Sequence, residues 1–324
     1  MSYDNLGLIQ SQLGDLTQAK DCDQRALEIR LKVLGPQHVD VATSYDNLGL
    51  VHRQLGDLKQ TKDFHERAPD IRLKRLEAQH VDVATSYDNL GLVHRQLGDL
   101  KEAKDCYEHA LDISSKELRP HHVGVATSYD NLGLVQSQLG DLTQAKDCDQ
   151  RALEIRLKVL GPQHVDLAMS YDNLGLVQRQ LGELKQADDC HKCALDIRLK
   201  ALGPQHIDDA TSYDNLGLVQ SQRGDHRQAK DFHERGLDIR LKGLGPQHVD
   251  VATSYDNLGL VHRQLGDLNQ ATDCHGRALD IRWKALGSNH AEFTKSYDNL
   301  CHLYRQLDDL RLAKDFHEPA LDIR

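Results

Sequence analysis

The string SYDNLGL begins at Ser2, Ser44, Ser86, Ser128, Ser170, Ser212 and Ser254, and a variant, SYDNLCH, begins at Ser296. Each start lies 42 residues after the one before, so eight copies of one unit fill the chain. A fixed period of this length is the signature of a repeat array, in which each unit touches only its neighbours. It overrides the two domains that 324 residues would otherwise suggest. The repeat predicts a single array over 1–324, with units at about 1–40, 41–82, 83–124, 125–166, 167–208, 209–250, 251–292 and 293–324.

Within one unit, Ala42, Tyr45, Leu48, Gly49, His52 and Leu55 recur at three- and four-residue spacing, one face of a helix. Gly56 follows as a helix end, Asp57 stands where an N-cap belongs, and Gln60 lies three residues on, a capping-box pattern that opens a second helix. In another copy that second helix carries Leu142, Ala145, Cys148, Ala152, Leu153, Ile155 and Leu160, and Gly161-Pro162 stops it. No segment alternates as a half-buried strand does. Each unit therefore reads as a helical hairpin. Two amphipathic helices cannot cover both apolar faces alone, and stacking the next hairpin does so. Gly49 and Ala68 are small enough for close helix approach. Pro69 and Pro319 fall inside second helices and predict a kink or a lost backbone bond there.

Leu132-Gly133, Gly140, Ala145 and Ala152 resemble the tetratricopeptide repeat. The tail from Ala152 to His164 and the 42-residue unit narrow the resemblance to the repeats of the kinesin light chain and nephrocystin families. It implies an all-α, right-handed solenoid, a superhelix of about eight helix-turn-helix repeats, whose concave groove holds an extended peptide or helix of a partner. On that resemblance Thr43, Asp46, Asn47, Leu50, Arg53, Gln54 and their equivalents point into the groove. The residues expected to contact a peptide are Asn47, Asn89, Asn131, Asn173, Asn215 and Asn257, with Asp130, Asp172, Leu134, Leu176, Arg95 and Arg179.

The asparagine recurs in every copy although it is a mediocre helix former. Its amide offers a donor and an acceptor, which suits the main chain of a peptide of any sequence. The alternative is that each asparagine bridges neighbouring hairpins. Asp46 and its copies form an acidic row that disfavours a purely acidic tail, and Asp46 occupies the place of the lysine in carboxylate-clamp arrays.

Acids outnumber bases by 50 to 40, a net charge of −10, which argues against nucleic acid or anionic membrane as partner. No run of 18 apolar residues is present, and the start, MSYDNLGLIQ, lacks a signal-peptide pattern, so a cytoplasmic location is expected. Seven cysteines over a long chain fit reduced thiols. Cys190 and Cys193 have metal-like spacing, but no second pair exists to complete four ligands. His38, His80, His122, His164, His206, His248 and His290 share one loop position and are expected to anchor hairpin to hairpin. His65, His191, His233, His275 and His317 share a position on the second helix and are expected to sit between helices, where protonation would loosen the array. Nucleotide-loop, serine-hydrolase and zinc-protease motifs are missing from the sequence. The expectation is a non-enzymatic protein-interaction scaffold with no cofactor and no metal. Other readings are a self-associating array that joins through uncapped ends, or the ligand-sensing portion of a larger signalling or motor-adaptor protein.

Overall fold

A computed structural model describes residues 2–78, 80–118, 122–286 and 292–323. Sixteen helices occupy these residues, arranged as eight hairpins. They are α1 (Ser2–Gln12) with α2 (Leu16–Leu34), α3 (Val39–Gln54) with α4 (Leu58–Arg75), α5 (Val81–Leu97) with α6 (Leu100–Glu117), and α7 (Val123–Leu139) with α8 (Leu142–Leu160). The second half holds α9 (Asp166–Gln180) with α10 (Leu184–Leu202), α11 (Ile207–Arg223) with α12 (His226–Leu244), α13 (Val249–Leu265) with α14 (Leu268–Leu286), and α15 (Glu292–Gln306) with α16 (Leu310–Ile323). The fold is an all-α repeat solenoid with no strand among the described residues. Its contacts divide it into two compact units, Met1–Gly161 and Pro162–Arg324. Among the described residues no helix is long and apolar enough to cross a membrane.

The turn chemistry is local and follows from the sequence. Gly140 closes α7 at φ +88°, a conformation that costs a residue with a Cβ. Asp57 Oδ1 then accepts the backbone N–H of Gln60 at 3.1 Å, as the capping pattern predicts. The loop histidines behave differently from expectation. Backbone N–H groups two residues on donate to Nδ1 of His38, His80, His122, His164, His206 and His248, so each caps the helix that follows instead of tying one hairpin to another. His290 lies outside the described residues. At Pro69 the helix continues: α4 runs from Leu58 to Arg75 with Pro69 buried inside it. Pro319 likewise falls within the span of α16.

The core forms between hairpins as well as within them. Leu27 of α2 joins Val41, Ala42 and Leu48 of α3 and Ala68 and Ile71 of α4 in one cluster. Full burial of such a leucine or isoleucine contributes about 1.5–3 kcal/mol. The first helices of successive hairpins also touch one another, α1 with α3 and α5 with α7 in the first unit, α9 with α11 and α11 with α13 in the second. The second helices make no comparable contact, so the first helices line the inner side of each unit.

Candidate functional site

Beneath the exposed face of the first helices lies a buried polar layer, and it begins with Asp46. His65 of α4 donates from Nδ1 to Asp46 Oδ1 at 3.0 Å, and Arg72 Nη1 donates to Oδ2 at 2.5 Å. The same guanidinium donates to Ser86 Oγ on α5, the first helix of the next hairpin. One arginine thus bolts two hairpins together through an aspartate on one and a serine on the other. The arrangement repeats as Arg30 with Asp4 and Ser44, Arg198 with Asp172 and Ser212, Arg240 with Asp214 and Ser254, and Arg282 with Asp256 and Ser296. Arg156 pairs with Asp130 at 2.5 Å. The serine is the first residue of every SYDNLGL string, and the arginine follows the Ile of the second helix.

This layer corrects the expected acidic row. Asp130 and Asp172 are 4% and 6% exposed and face the interior, held by Arg156 and Arg198, instead of facing a partner. A row of buried, ion-paired carboxylates does not repel an acidic ligand, so that argument against an acidic partner lapses. The second-helix histidines are equally committed: His65, His191, His233 and His275 are buried, each on the aspartate of its own hairpin. That partner accepts a buried hydrogen bond from Nδ1 of each ring. Burial raises Asp256, but the His275 hydrogen bond and the Arg282 charge outweigh it and hold its carboxyl below the usual range. His317's side chain lies outside the described residues. In four hairpins the histidine also explains the glycine of the first helix. A Cβ on Gly49 would stand 2.5 Å from the His65 ring, and Gly175, Gly217 and Gly259 meet His191, His233 and His275 in the same way.

Three hairpins depart from the pattern. In the first and fourth, an aspartate replaces the histidine, so two carboxylates face each other. Burial and the Asp4 charge push Asp23 up to about 6 against the pull of Arg30. Burial and the Asp130 charge push Asp149 up to about 8, and its Oδ1 has no hydrogen-bond partner. In the third hairpin Ser114 stands where the bolting arginine belongs. Asp88 accepts from Asn131 and Ser128, and burial lifts it to about 6.

Above this layer are the residues expected to face a partner. Thr43, Leu50 and Gln54 are exposed along α3, and Thr127, Leu134 and Gln138 along α7. Leu176 is half-buried. The asparagines divide into two sets. Asn131 donates to Asp88 Oδ1 at 3.4 Å and Asn215 to Asp172 Oδ1 at 3.3 Å, each reaching back to the preceding hairpin. Asn47, Asn89, Asn173 and Asn257 are half-buried and make no side-chain hydrogen bond among the described residues. Arg95 hydrogen-bonds Tyr107, and Arg179 Nη1 donates to Gln222 Oε1 at 3.5 Å. Between α1 and α3 a cavity of about 430 Å³ opens, lined by Asn5, Leu8, Asn47, Leu50 and Arg53 together with Gln54.

The cysteines are free thiols. Burial pushes Cys148 and Cys190 up to about 12, and both donate to glutamine oxygens, so they remain protonated at neutral pH.

An array of capped helical hairpins, joined through conserved-length loops into interdigitating layers, is the architecture of tetratricopeptide repeats. The sequence matches the tetratricopeptide repeat family over residues 1–74, 82–158, 125–200, 179–242, 237–284 and 250–324, and the chain belongs to that family. Among solved structures, BtubC (BKLC) from P. vanneervenii is 25% identical, with a TM-score of 0.56 over 73% of this chain and 92% of that one. A Podosopora anserina chain of nearly identical TPR-like repeats, assigned to the kinesin light chains, is 21% identical, with a TM-score of 0.57 over 63% of this chain and 97% of that one. The apo form of RapI is 16% identical, with a TM-score of 0.68 over 87% and 97%. The last two share the fold alone. No curated protein matches the chain. Tetratricopeptide repeats in general mediate protein–protein interaction, and such chains are typically non-catalytic.

Proposed function

We propose that this chain is a protein-interaction scaffold that holds an extended segment of a partner along the exposed face of its first helices. The cavity between α1 and α3 carries the reading: its wall is built from the asparagine, leucine and arginine positions of two successive hairpins. Apolar Leu8 and Leu50 supply contact area, while Asn5 and Asn47 supply a donor and an acceptor for peptide main chain. The aspartates act from below. They hold the first helices in register through the arginine bolts, and in the cavity between α1 and α3 Asp4 and Asp23 form part of the wall beside the asparagines and leucines. Of the amide row, Asn47, Asn89, Asn173 and Asn257 are the members with free hydrogen-bonding capacity, whereas Asn131 and Asn215 spend theirs on the preceding hairpin.

The test is selection from a displayed random-peptide library, followed by affinity measurement with variants of the full chain. Peptides selected on the wild type should bind Asn47→Ala/Asn89→Ala at least about tenfold more weakly, a loss of roughly 1.4 kcal/mol or more, with helicity unchanged. Failure to select any peptide, or full binding by the double variant, overturns the reading.

A further inference from the structure

In four hairpins the aspartate of the first helix accepts from a histidine of the second. In the first hairpin Asp23 stands where that histidine belongs, so an acceptor replaces a donor. Arg30 answers Asp4, its Nη1 and Nη2 donating to the two carboxylate oxygens at 2.7 and 2.8 Å. Its Nη1 also donates to Ser44. Arg30 lends Asp23 a favourable charge, but its hydrogen bonds go to Asp4 and Ser44, and Asp23 accepts none among the described residues. Asp23 is nevertheless only 4% exposed. Buried carboxylates without a donor are rare.

Asp23 lines the cavity between α1 and α3. Gly7 lines the same wall, and a Cβ there would stand 2.5 Å from Asp23 Oδ1, so the missing side chain is what lets this carboxylate reach the cavity from α2. The fourth hairpin has the same aspartate pair, but there Asp149 Oδ1 is sealed from solvent, and neither oxygen of Asp23 is. Leu8 and Leu50, both exposed, give the cavity its apolar sides. We infer that this cavity takes a lysine side chain of the partner segment, with the aliphatic stem along Leu8 and Leu50 and the ammonium on Asp23. This assignment rests on the scaffold function proposed for the first helices and names the side chain held at one place on them. An ammonium carries three donors and no acceptor, which is what a buried carboxylate without a donor lacks. A cation beside Asp23 also offsets the repulsion between Asp23 and Asp4. Asp23 meets the cavity through the gap left by one glycine, which suits a compact ammonium better than a planar guanidinium. The apolar sides select an organic cation over a metal ion, and no group of three or more His, Cys, Asp or Glu side chains among the described residues could hold a metal. Arg53 is the opposite charge on the α3 side of the wall. Its Nε has no hydrogen-bond partner, and it suits the main-chain carbonyls that flank the lysine.

The experiment selects peptides from a displayed random library on the full wild-type chain at pH 8, where Asp23, raised to about 6, is ionised. The tightest selected peptide should contain lysine. It is remade with norleucine in place of that lysine, which keeps the stem and removes the charge, and both peptides are titrated at constant ionic strength. The norleucine peptide should bind the wild type at least about tenfold more weakly. Asp23→His restores the side chain of four other hairpins, and Gly7 leaves room for the ring as Gly49 does for His65. On Asp23→His, and on Asp23→Asn, which keeps the shape, the two peptides should bind within about twofold of each other. Asp149→Asn, at the sealed site of the fourth hairpin, should keep the tenfold difference. Selected peptides without lysine, a norleucine peptide that binds the wild type equally, or a lysine preference that survives Asp23→Asn overturns this assignment and leaves the scaffold function standing. Selection of no peptide at all overturns both.

Discussion

Asp149 occupies the place that His65 holds two hairpins earlier, and the exchange reverses the local electrostatics. His65 donates a hydrogen bond to its aspartate, whereas Asp149 sets a second carboxylate beside Asp130. The folded chain therefore binds a proton at Asp149 far more tightly than the unfolded chain does. A carboxyl raised to about 8 stabilises fully below its ordinary value near 3.8, and that contribution is lost as pH rises toward 8. Asp23 and Asp88, each at about 6, act with the same sign over a lower window. Between pH 6 and 8 the loss of stability should thus come mainly from Asp149. Asp149→His, which restores the pair found in four hairpins, should flatten the profile in that window and stabilise at pH 8 by about 1–3 kcal/mol. Denaturant melts at pH 6 and 8 check this, and an undiminished slope refutes it. None of this was legible in the sequence. Asp149 is one more acid in a chain that has 50 Asp and Glu, and only the structure shows that its repeat position faces the buried Asp130. The same blindness placed Asp130 and Asp172 on the partner face. On a helix, one step of rotation separates a groove-lining residue from one beneath it, and the arginines that draw the aspartates inward come from a different helix.

At the scale of the helix, spacing and caps carried the reading further. The periodicity of Ala42, Tyr45, Leu48 and Gly49 and the Asp57–Gln60 cap are local properties, so they are readable without tertiary context. Pro69 shows where local rules yield. Proline lacks an N–H and crowds the preceding turn, which in an undisturbed helix costs about 3 kcal/mol. Yet α4 runs through it, because Ala68 and Ile71 on either side are buried in the cluster with Leu27, Val41 and Leu48, and Arg72 is bolted to Asp46 and Ser86. Tertiary contacts hold the helix against the local penalty. Pro69→Leu puts back the residue of the other hairpins, such as Leu153 and Leu237. It should stabilise the chain by roughly 2–3 kcal/mol in denaturant unfolding. A neutral or destabilising result means that α4 is adapted to the proline.

Across a repeat array, stability is approximately a sum of hairpin terms and nearest-neighbour interface terms, so the weakest interface sets where the array first opens. In the first unit the interfaces are chemically unequal. Arg30 bolts the first hairpin to the second and Arg72 the second to the third, but Ser114 leaves the joint between α6 and α7 without a guanidinium. Asp88 and Ser128, the two groups that would receive one, are both still present, 3.5 Å apart. Breaking a buried pair by removing one member costs about 3–5 kcal/mol, since the other charge stays behind. The third hairpin has lived with that loss by letting Asp88 take up a proton more readily. Hydrogen exchange resolved by segment should therefore show faster opening around α6 and α7 than around α4 and α5. Ser114→Arg should slow exchange at that joint, raise stability by about 1–3 kcal/mol and return the Asp88 carboxyl toward its ordinary range. Arg72→Ser should do the reverse one hairpin earlier, making the joint between α4 and α5 the first to open. If exchange is uniform along the unit and indifferent to both substitutions, the arginine bolts do not govern how neighbouring hairpins hold together, and apolar contact alone carries that coupling.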